Sequence, residues 1–518
     1  MTLERAARPP RSGTFTGAPA FARLAVSCVA LLSGTLLAVR LGRYDFNGDE
    51  LYFIAAGRRP AFGYADQGPL VPLLAAAADL LDPGSTVLLR LPAVLATVAA
   101  VVLSAVLARE FGGGSDAQVL AALAYAATPA AVLQSALLTT YALDATLTAM
   151  VSWLFIRWVR VRRDRLLVLA GAVAALDLQV KWLMPVTWMG LAAGVALFGP
   201  REMLRRPAWW LGTGLLVASA VPTLWWQRAH GWPQLTMGSV VRQEQLATSD
   251  GIIGMPWQII LVTGPLGALL LVGMWAGLRW EGLRPYRFLV PIVLAGLLAI
   301  VLAGLRPYFV VGALPGLFAA GTTYLAQRGL GRGLRGIGHA LIASAVAITV
   351  VAVVALPLPQ RRLTPTDAYA QIDWRTRLFG PSGWQELADG VEDAYRGIPP
   401  EQYAGLVLIT QNYWQAAGLD VIGSDDLPPV YSPNRGYGYF PAPPDSATTV
   451  LYVGIDEPRS GLGADFADTT LLARIDRPLG FPGVDRGVSV WICRDPLEPW
   501  SAAWPTMRTL RMVSGTSR

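Results

Sequence analysis

The sequence predicts an α-helical polytopic membrane protein of about eleven transmembrane helices, followed by a small α/β domain outside the membrane. Three observations carry this. Of 518 residues, 53% are hydrophobic and only 15% charged, against the roughly 25% charge of soluble domains, and the mean hydropathy is +0.44. Apolar runs near the ~20 residues needed to span a bilayer recur along the first two thirds. From residue 357 onward the text changes to short apolar runs separated by Gly/Pro-rich turns.

The apolar runs fall at 21–41, 87–108, 117–133, 141–157, 166–181, 183–199, 208–226, 256–277, 288–304, 308–326 and 337–356. The first follows a basic segment but is too long for a signal-peptide core of ~7–15 residues, so it reads as a retained anchor. Basic residues collect in alternate connectors: the N-terminal tail, 157–165, 201–207, 278–287 and 328–335. The positive-inside rule makes that side cytoplasmic. The net charge of +7 therefore reports topology rather than nucleic-acid binding. The N-terminus is expected inside and the segment 357–518 outside, with 1–356 as the membrane domain and 42–86 as its first external loop. In the C-terminal segment, GLVLIT (405–410), TTVLYVGI (448–455) and GVSVWIC (487–493) read as strands, with an amphipathic stretch NYWQAAGLD after the first. Cys28 and Cys493 are too few and too distant in sequence to suggest a disulfide framework or metal cluster.

The chemistry concentrates on the external side. The stretch RYDFNGDELYFIAAGRRPAFGYADQGP (43–69) places Asp45, Asp49, Glu50 and Asp66 beside the first span, together with Arg58, Arg59 and Gln67. Asn47 reads as the N-cap of a short helix with Asp49 and Glu50 in its first turn. Their bland role is to complement the helix dipole. A further carboxylate, Asp144, opens an otherwise apolar helix on the same side, and two carboxylate sites on one face suit general-base work. Lys181, Arg242 and Arg306 lie externally, against the charge trend. Arg306 occupies a turn of a few residues, and such cations bind phosphate well; snorkelling to headgroups is the alternative. The external end of a further helix carries WWQRAHGWP (225–233), from which Trp226 and His230 are binding candidates. HExxH, CxxC, GxSxG and P-loop motifs do not occur.

Taken together, DELYFIAAGRRPAFGYADQGPLVPLL, LDATLTAM, LQVKW, WWQRAHGWP and RPYFVVGALPGLFAAG resemble, in order and spacing, the membrane glycosyltransferases of the GT-C fold. The branch most similar is that of bacterial relatives of protein O-mannosyltransferases and lipid A aminoarabinose transferases. The resemblance covers roughly 20–330 and extends to TQNYWQAAGLDVIG and PPVYSPNRGYGYF in the tail. It implies transfer of a sugar from a polyprenyl-phosphate carrier in the lipid bilayer to a cell-envelope acceptor on the external face. It further implies Asp49 as the base, with Glu50 and Asp144 orienting the acceptor or a divalent metal, whose involvement is left open. By the same resemblance, the aminoarabinose transferases carry a phosphate-binding lysine where this chain reads Asp66-Gln67-Gly68-Pro69. Lys181 and Arg306 are the expected replacements, supported by Arg58 and Arg59, while Asp45, Asp66, Gln67, Trp226, His230 and Tyr308 are expected to line the substrate. Two rivals remain: a polyprenyl-lipid transporter or flippase, and an envelope assembly protein that kept the fold without the chemistry.

Overall fold

The structure, a computed structural model, describes residues 17–249, 251–304, 306–329, 331–364 and 369–512. Most of the basic N-terminal tail read as cytoplasmic lies outside the described residues.

The first half of the chain is helical throughout. Helix α1 (Arg23–Ala38) is followed by two short helices outside the long spans, α2 (Gly48–Gly57) and α3 (Leu70–Leu81). Then come α4 (Thr86–Glu110), α5 (Ser115–Ala126), α6 (Pro129–Gln134), α7 (Thr140–Val161), α8 (Arg165–Leu178), α9 (Met184–Phe198), α10 (Glu202–Arg205), α11 (Pro207–Ala229) and α12 (Pro233–Thr248). The second half of the membrane region holds α13 (Met255–Thr263), α14 (Gly267–Arg279), α15 (Val290–Ala303), α16 (Leu314–Arg328) and α17 (Arg332–Ala355), joined in part by 3-10 turns. Among the described residues, seven helices are long and apolar enough to cross a membrane: Thr86–Glu110, Thr140–Val161, Pro207–Ala229, Ile252–Arg279, Glu281–Leu302, Pro307–Arg328 and Arg332–Ala355. Shorter apolar helices, α1, α3 and α9, accompany them.

Local chemistry sets the breaks. The expected span 117–133 is two helices, because Thr128 caps a new one through Ala131 N and Pro129 takes its first position. The segment 42–86, in which the sequence marks one capped helix, also contains α3. After α11, Gly231 (φ 76°) and Trp232 (φ 59°) both turn left-handed, and Pro233 then starts α12. The WWQRAHGWP text is therefore a helix-to-helix corner. Close helix approach needs glycine where α8 crosses α11: a Cβ on Gly171 would meet the Gly212 backbone at 2.2 Å.

The C-terminal segment carries α18 (Tyr369–Phe379), α19 (Trp384–Arg396), α20 (Tyr413–Val421), α21 (Pro458–Leu462) and α22 (Trp500–Met507) around one five-stranded mixed sheet. Its strands are β1 (Leu406–Thr410), β2 (Val430–Tyr431), β3 (Thr449–Gly454), β4 (Phe466–Ile475) and β5 (Val488–Pro496), in the order β2-β1-β3-β5-β4. Strand β1 runs parallel to β2 and β3, whereas β5 is antiparallel to β3 and β4. The central strands β1 and β3 are buried along their whole length, which is why they read as unbroken apolar runs. Edge strand β4 is mostly exposed, so the apolar pattern that marks the other strands is missing from it.

This unit is not separate from the membrane part. One apolar core joins Leu51, Tyr52 and Ile54 of α2 to Trp384, Leu387 and Val391 of α19 and to Leu408, Leu451 and Val490 of the sheet. The Trp384 indole donates to the Phe46 carbonyl at 2.8 Å.

Candidate active site

Helix α2 is placed by its cap. The Asn47 side chain accepts from Asp49 N at 2.9 Å, and Glu50 Oε2 accepts from Asn47 N at 2.9 Å, a reciprocal capping box. The sequence pattern anticipates the cap; it does not anticipate the other partners of Glu50. Arg90 of α4 donates Nε to Oε1 at 2.9 Å and a terminal nitrogen to Oε2 at 2.7 Å, and Leu138 N donates to Oε1 at 2.8 Å. Arg90 also donates to the carbonyls of Leu41, Tyr44 and Asp45. Both side chains have no exposed surface. Glu50, expected at the reaction centre, thus has both oxygens occupied and belongs to the clamp that anchors the first loop to α4. Arg90 was missed because an arginine five residues into a span reads as interfacial.

Asp49, one residue earlier, points the other way and is half-buried. Its Oδ1 accepts from Tyr413 OH at 2.6 Å and Trp414 Nε1 at 3.0 Å, both from α20. Burial, with Asp49 beside it, pushes the Tyr413 phenol well above its ordinary range, so the phenol keeps its proton and donates. Asp66 shares this neighbourhood: burial raises its carboxyl, Asp49 adds to the rise, and Arg435 and Lys181 oppose it. The loop carrying Asp66 and Gln67 packs against the end of α8, with Leu70 N donating to Gln179 O at 3.0 Å. A Cβ on Gly68 would lie 2.1 Å from Gln179 O, so glycine permits the approach that brings Asp66-Gln67 beside Lys181.

Lys181 is the only lysine in the chain. Its ammonium donates to Tyr308 OH at 2.6 Å and Thr140 Oγ1 at 3.4 Å. It also faces the rings of Tyr308, Tyr141 and Phe309 at 4.3, 4.8 and 5.4 Å. Asp144 lies buried in α7 within electrostatic reach of Lys181 and of a second buried carboxylate, Asp177 of α8. Asp177 lies in an apolar helix four residues before the lysine and went unnoticed in the sequence. Arg306 donates to Tyr141 OH at 3.3 Å and to Glu244 Oε2 at 3.2 Å. Glu244 of α12 in turn pairs through Oε1 with Arg435 of the C-terminal unit. Neither Glu244 nor Arg435 was identified from sequence, because each lies in polar text and gains meaning only from the other.

The remaining candidates lie further out. Arg58 pairs with Asp79 at 2.9 Å and donates to the Asp420 carbonyl; Arg59 holds the Asp420 carboxylate at 2.5 and 3.0 Å. These arginines, expected at a carrier phosphate, tie α2 to α20. Asp45 accepts from Phe46 N at 2.7 Å and is exposed. His230 stacks on Trp226 at 4.0 Å and bonds its own helix at Trp226 O, and both rings face Tyr439. Beside them Gln227 donates to Tyr64 O at 2.9 Å, fixing the loop before Asp66. Among the described residues no group of three or more His, Cys, Asp or Glu side chains is placed to hold a metal ion.

The chain is a bundle of membrane helices with a carboxylate-and-cation cluster at one end and the C-terminal unit docked over it. Comparison with solved structures shows that this is the GT-C fold. Residues 66–226 match the model of the Dolichyl-phosphate-mannose-protein mannosyltransferase family. Solved structures of ArnT from Cupriavidus metallidurans, bound to undecaprenyl phosphate and in the apo state, superpose with TM-scores of 0.57 and 0.58 at 15% and 14% identity. In each case 90% of this chain and 97% of that chain are covered. The arabinofuranosyltransferase AftD from Mycobacteria matches at a TM-score of 0.50 and 15% identity, over 90% of this chain and 40% of its own. No curated protein matches the chain in sequence.

Proposed function

We propose that the chain is an integral membrane glycosyltransferase that takes a sugar from a polyprenyl-phosphate carrier and passes it to a cell-envelope acceptor on the external face. The observation that carries this reading is the meeting of Asp49 and Asp66 with Lys181, Arg306 and Arg435 at one end of the membrane helices. The fold shared with the ArnT structure bound to undecaprenyl phosphate supports it, as does the mannosyltransferase-family segment. A carrier whose isoprenoid lies in the bilayer and whose phosphate lies at its surface requires such a location.

In the proposed reaction Asp49 removes the acceptor hydroxyl proton as the oxygen attacks the anomeric carbon. The carbon–oxygen bond to the carrier breaks, and the electron pair leaves with the polyprenyl phosphate. A base of this kind contributes ~10²–10⁴-fold. Lys181 and Arg306 are assigned to the growing phosphate charge. Tyr308 orients Lys181, Asp144 balances its charge, and Asp66 and Gln67 face the donor sugar. Glu50, with Arg90, is assigned to holding α2.

The test is transfer in membranes or detergent with radiolabelled polyprenyl-phosphate mannose, arabinose and glucose. One label should reach an acceptor with the wild type and not with Asp49→Asn. Full activity of a folded Asp49→Asn protein would refute the base, and failure to bind any carrier would refute the reading as a whole.

A further inference from the structure

The C-terminal text NYWQ forms the start of α20. Asn412 caps it, accepting from Gln415 N at 2.9 Å while Gln415 returns a bond to Asn412 N. Tyr413 and Trp414 therefore occupy a rigid first turn rather than a loose loop. This turn is seated directly on α2. A Cβ on Gly48 would lie 2.0 Å from the Trp414 ring, so only glycine lets the indole lie against the start of α2. Tyr413 meets Tyr52 edge to face at 5.7 Å. About two helical turns further along, Arg59 and Tyr437 both bond Asp420 of the same helix, which locks α20 at its other end.

We propose, on the reading of Asp49 as the base, that Tyr413 and Trp414 are positioning residues that hold Asp49 Oδ1 so that Oδ2 is the oxygen presented to the acceptor hydroxyl. A free aspartate rotates about its last bond and exchanges its two oxygens. Two donors from one capped turn stop that rotation. Among the described residues Oδ2 makes no hydrogen bond, so it is the oxygen open to the incoming proton. The C-terminal unit is then part of the catalytic apparatus, because two of the donors that set the geometry of the base come from it.

The experiment is steady-state transfer by the purified full chain carrying Tyr413→Phe, Trp414→Phe or both, with Tyr437→Phe as a comparison. Tyr437→Phe removes a docking bond to Asp420 without touching Asp49. The double variant should lose kcat by roughly 10–100-fold while the KM for the donor stays within about twofold, with a thermal midpoint no lower than that of Tyr437→Phe. If wild type transfers, Asp49→Asn does not, and the double variant keeps wild-type kcat, this proposal alone fails. An equal loss of kcat in Tyr437→Phe would also overturn it, since docking and not orientation would then account for the effect. If wild type transfers no sugar, the glycosyltransferase reading fails and this proposal falls with it.

Discussion

Asp49 and Glu50 are adjacent acids in the first turn of one helix, and the ~100° step between successive helical residues sends them to opposite surroundings. Glu50 turns inward to Arg90, and removing one partner of a fully buried pair typically costs about 3–5 kcal/mol. Glu50→Gln should therefore lower the thermal midpoint and the amount of folded protein in membranes, with the activity per folded molecule much less affected than in Asp49→Asn. Quantifying folded protein and transfer on the same samples checks this. Lys181 makes the complementary case. Three rings surround its ammonium, and one of them, Tyr308, also accepts its hydrogen bond; a phosphate would add the opposite charge that these rings lack. Lys181→Ala should raise the donor KM by roughly tenfold or more, measured from initial rates against carrier concentration. As the sole lysine, Lys181 is also open to a direct check: bound carrier should slow its reaction with an amine-directed reagent.

At the scale of elements, small residues and one buried acid decide how parts meet. Gly171 and Gly212 let α8 and α11 touch backbone to backbone, and Lys181 lies three residues beyond the end of α8. Gly171→Val should force the helices apart and reduce stability by an amount comparable to an overpacked core, about 1–3 kcal/mol, seen as a lower thermal midpoint in detergent. In the C-terminal unit, Asp485 accepts from Phe481 N at 2.6 Å, and burial pushes its carboxyl up to about 6. A folded-state value above the ordinary ~3.8 means that its neutral form suits the fold: the benefit is complete below about pH 4 and is lost as pH rises through about 6. Asp485→Asn stays neutral, so its thermal midpoint should gain on the wild type between pH 4 and pH 7. A constant difference across that window would exclude the effect.

For the whole molecule, the membrane part and the C-terminal unit share one core and one polar cluster. Arg306 of the membrane region, Glu244 of α12 and Arg435 of the C-terminal unit form a continuous chain of charges. A chain ending at residue 356 would expose the apolar face of α2 and leave Glu244 and Asp49 without their C-terminal partners. Such a truncation should accumulate poorly and transfer no sugar, which membrane fractionation and assay would measure. Co-expression of 357–518 as a separate chain should not restore wild-type activity if covalent linkage supplies the effective concentration that docking needs.

Much of this architecture was legible in the sequence, since spans depend on local apolar length, caps on residues three apart, and buried parallel strands on unbroken apolar runs. The Asn47 cap, the strands around 405–410, 448–455 and 487–493, and the crowding of acids in the segment 42–86 are all such local signals. Their physical origin lies within a few residues of the chain, so the text alone determined the membrane class and drew attention to Asp49 and Lys181. Pairings between distant segments were decided by the tertiary structure: Glu50 with Arg90, Arg59 with Asp420, Glu244 with Arg306 and Arg435, and Asp49 with Tyr413 and Trp414. Each requires two side chains well separated in sequence to be brought together by packing. A charge shows in the sequence, but the partner that makes its burial tolerable is chosen only when the helices and the sheet pack.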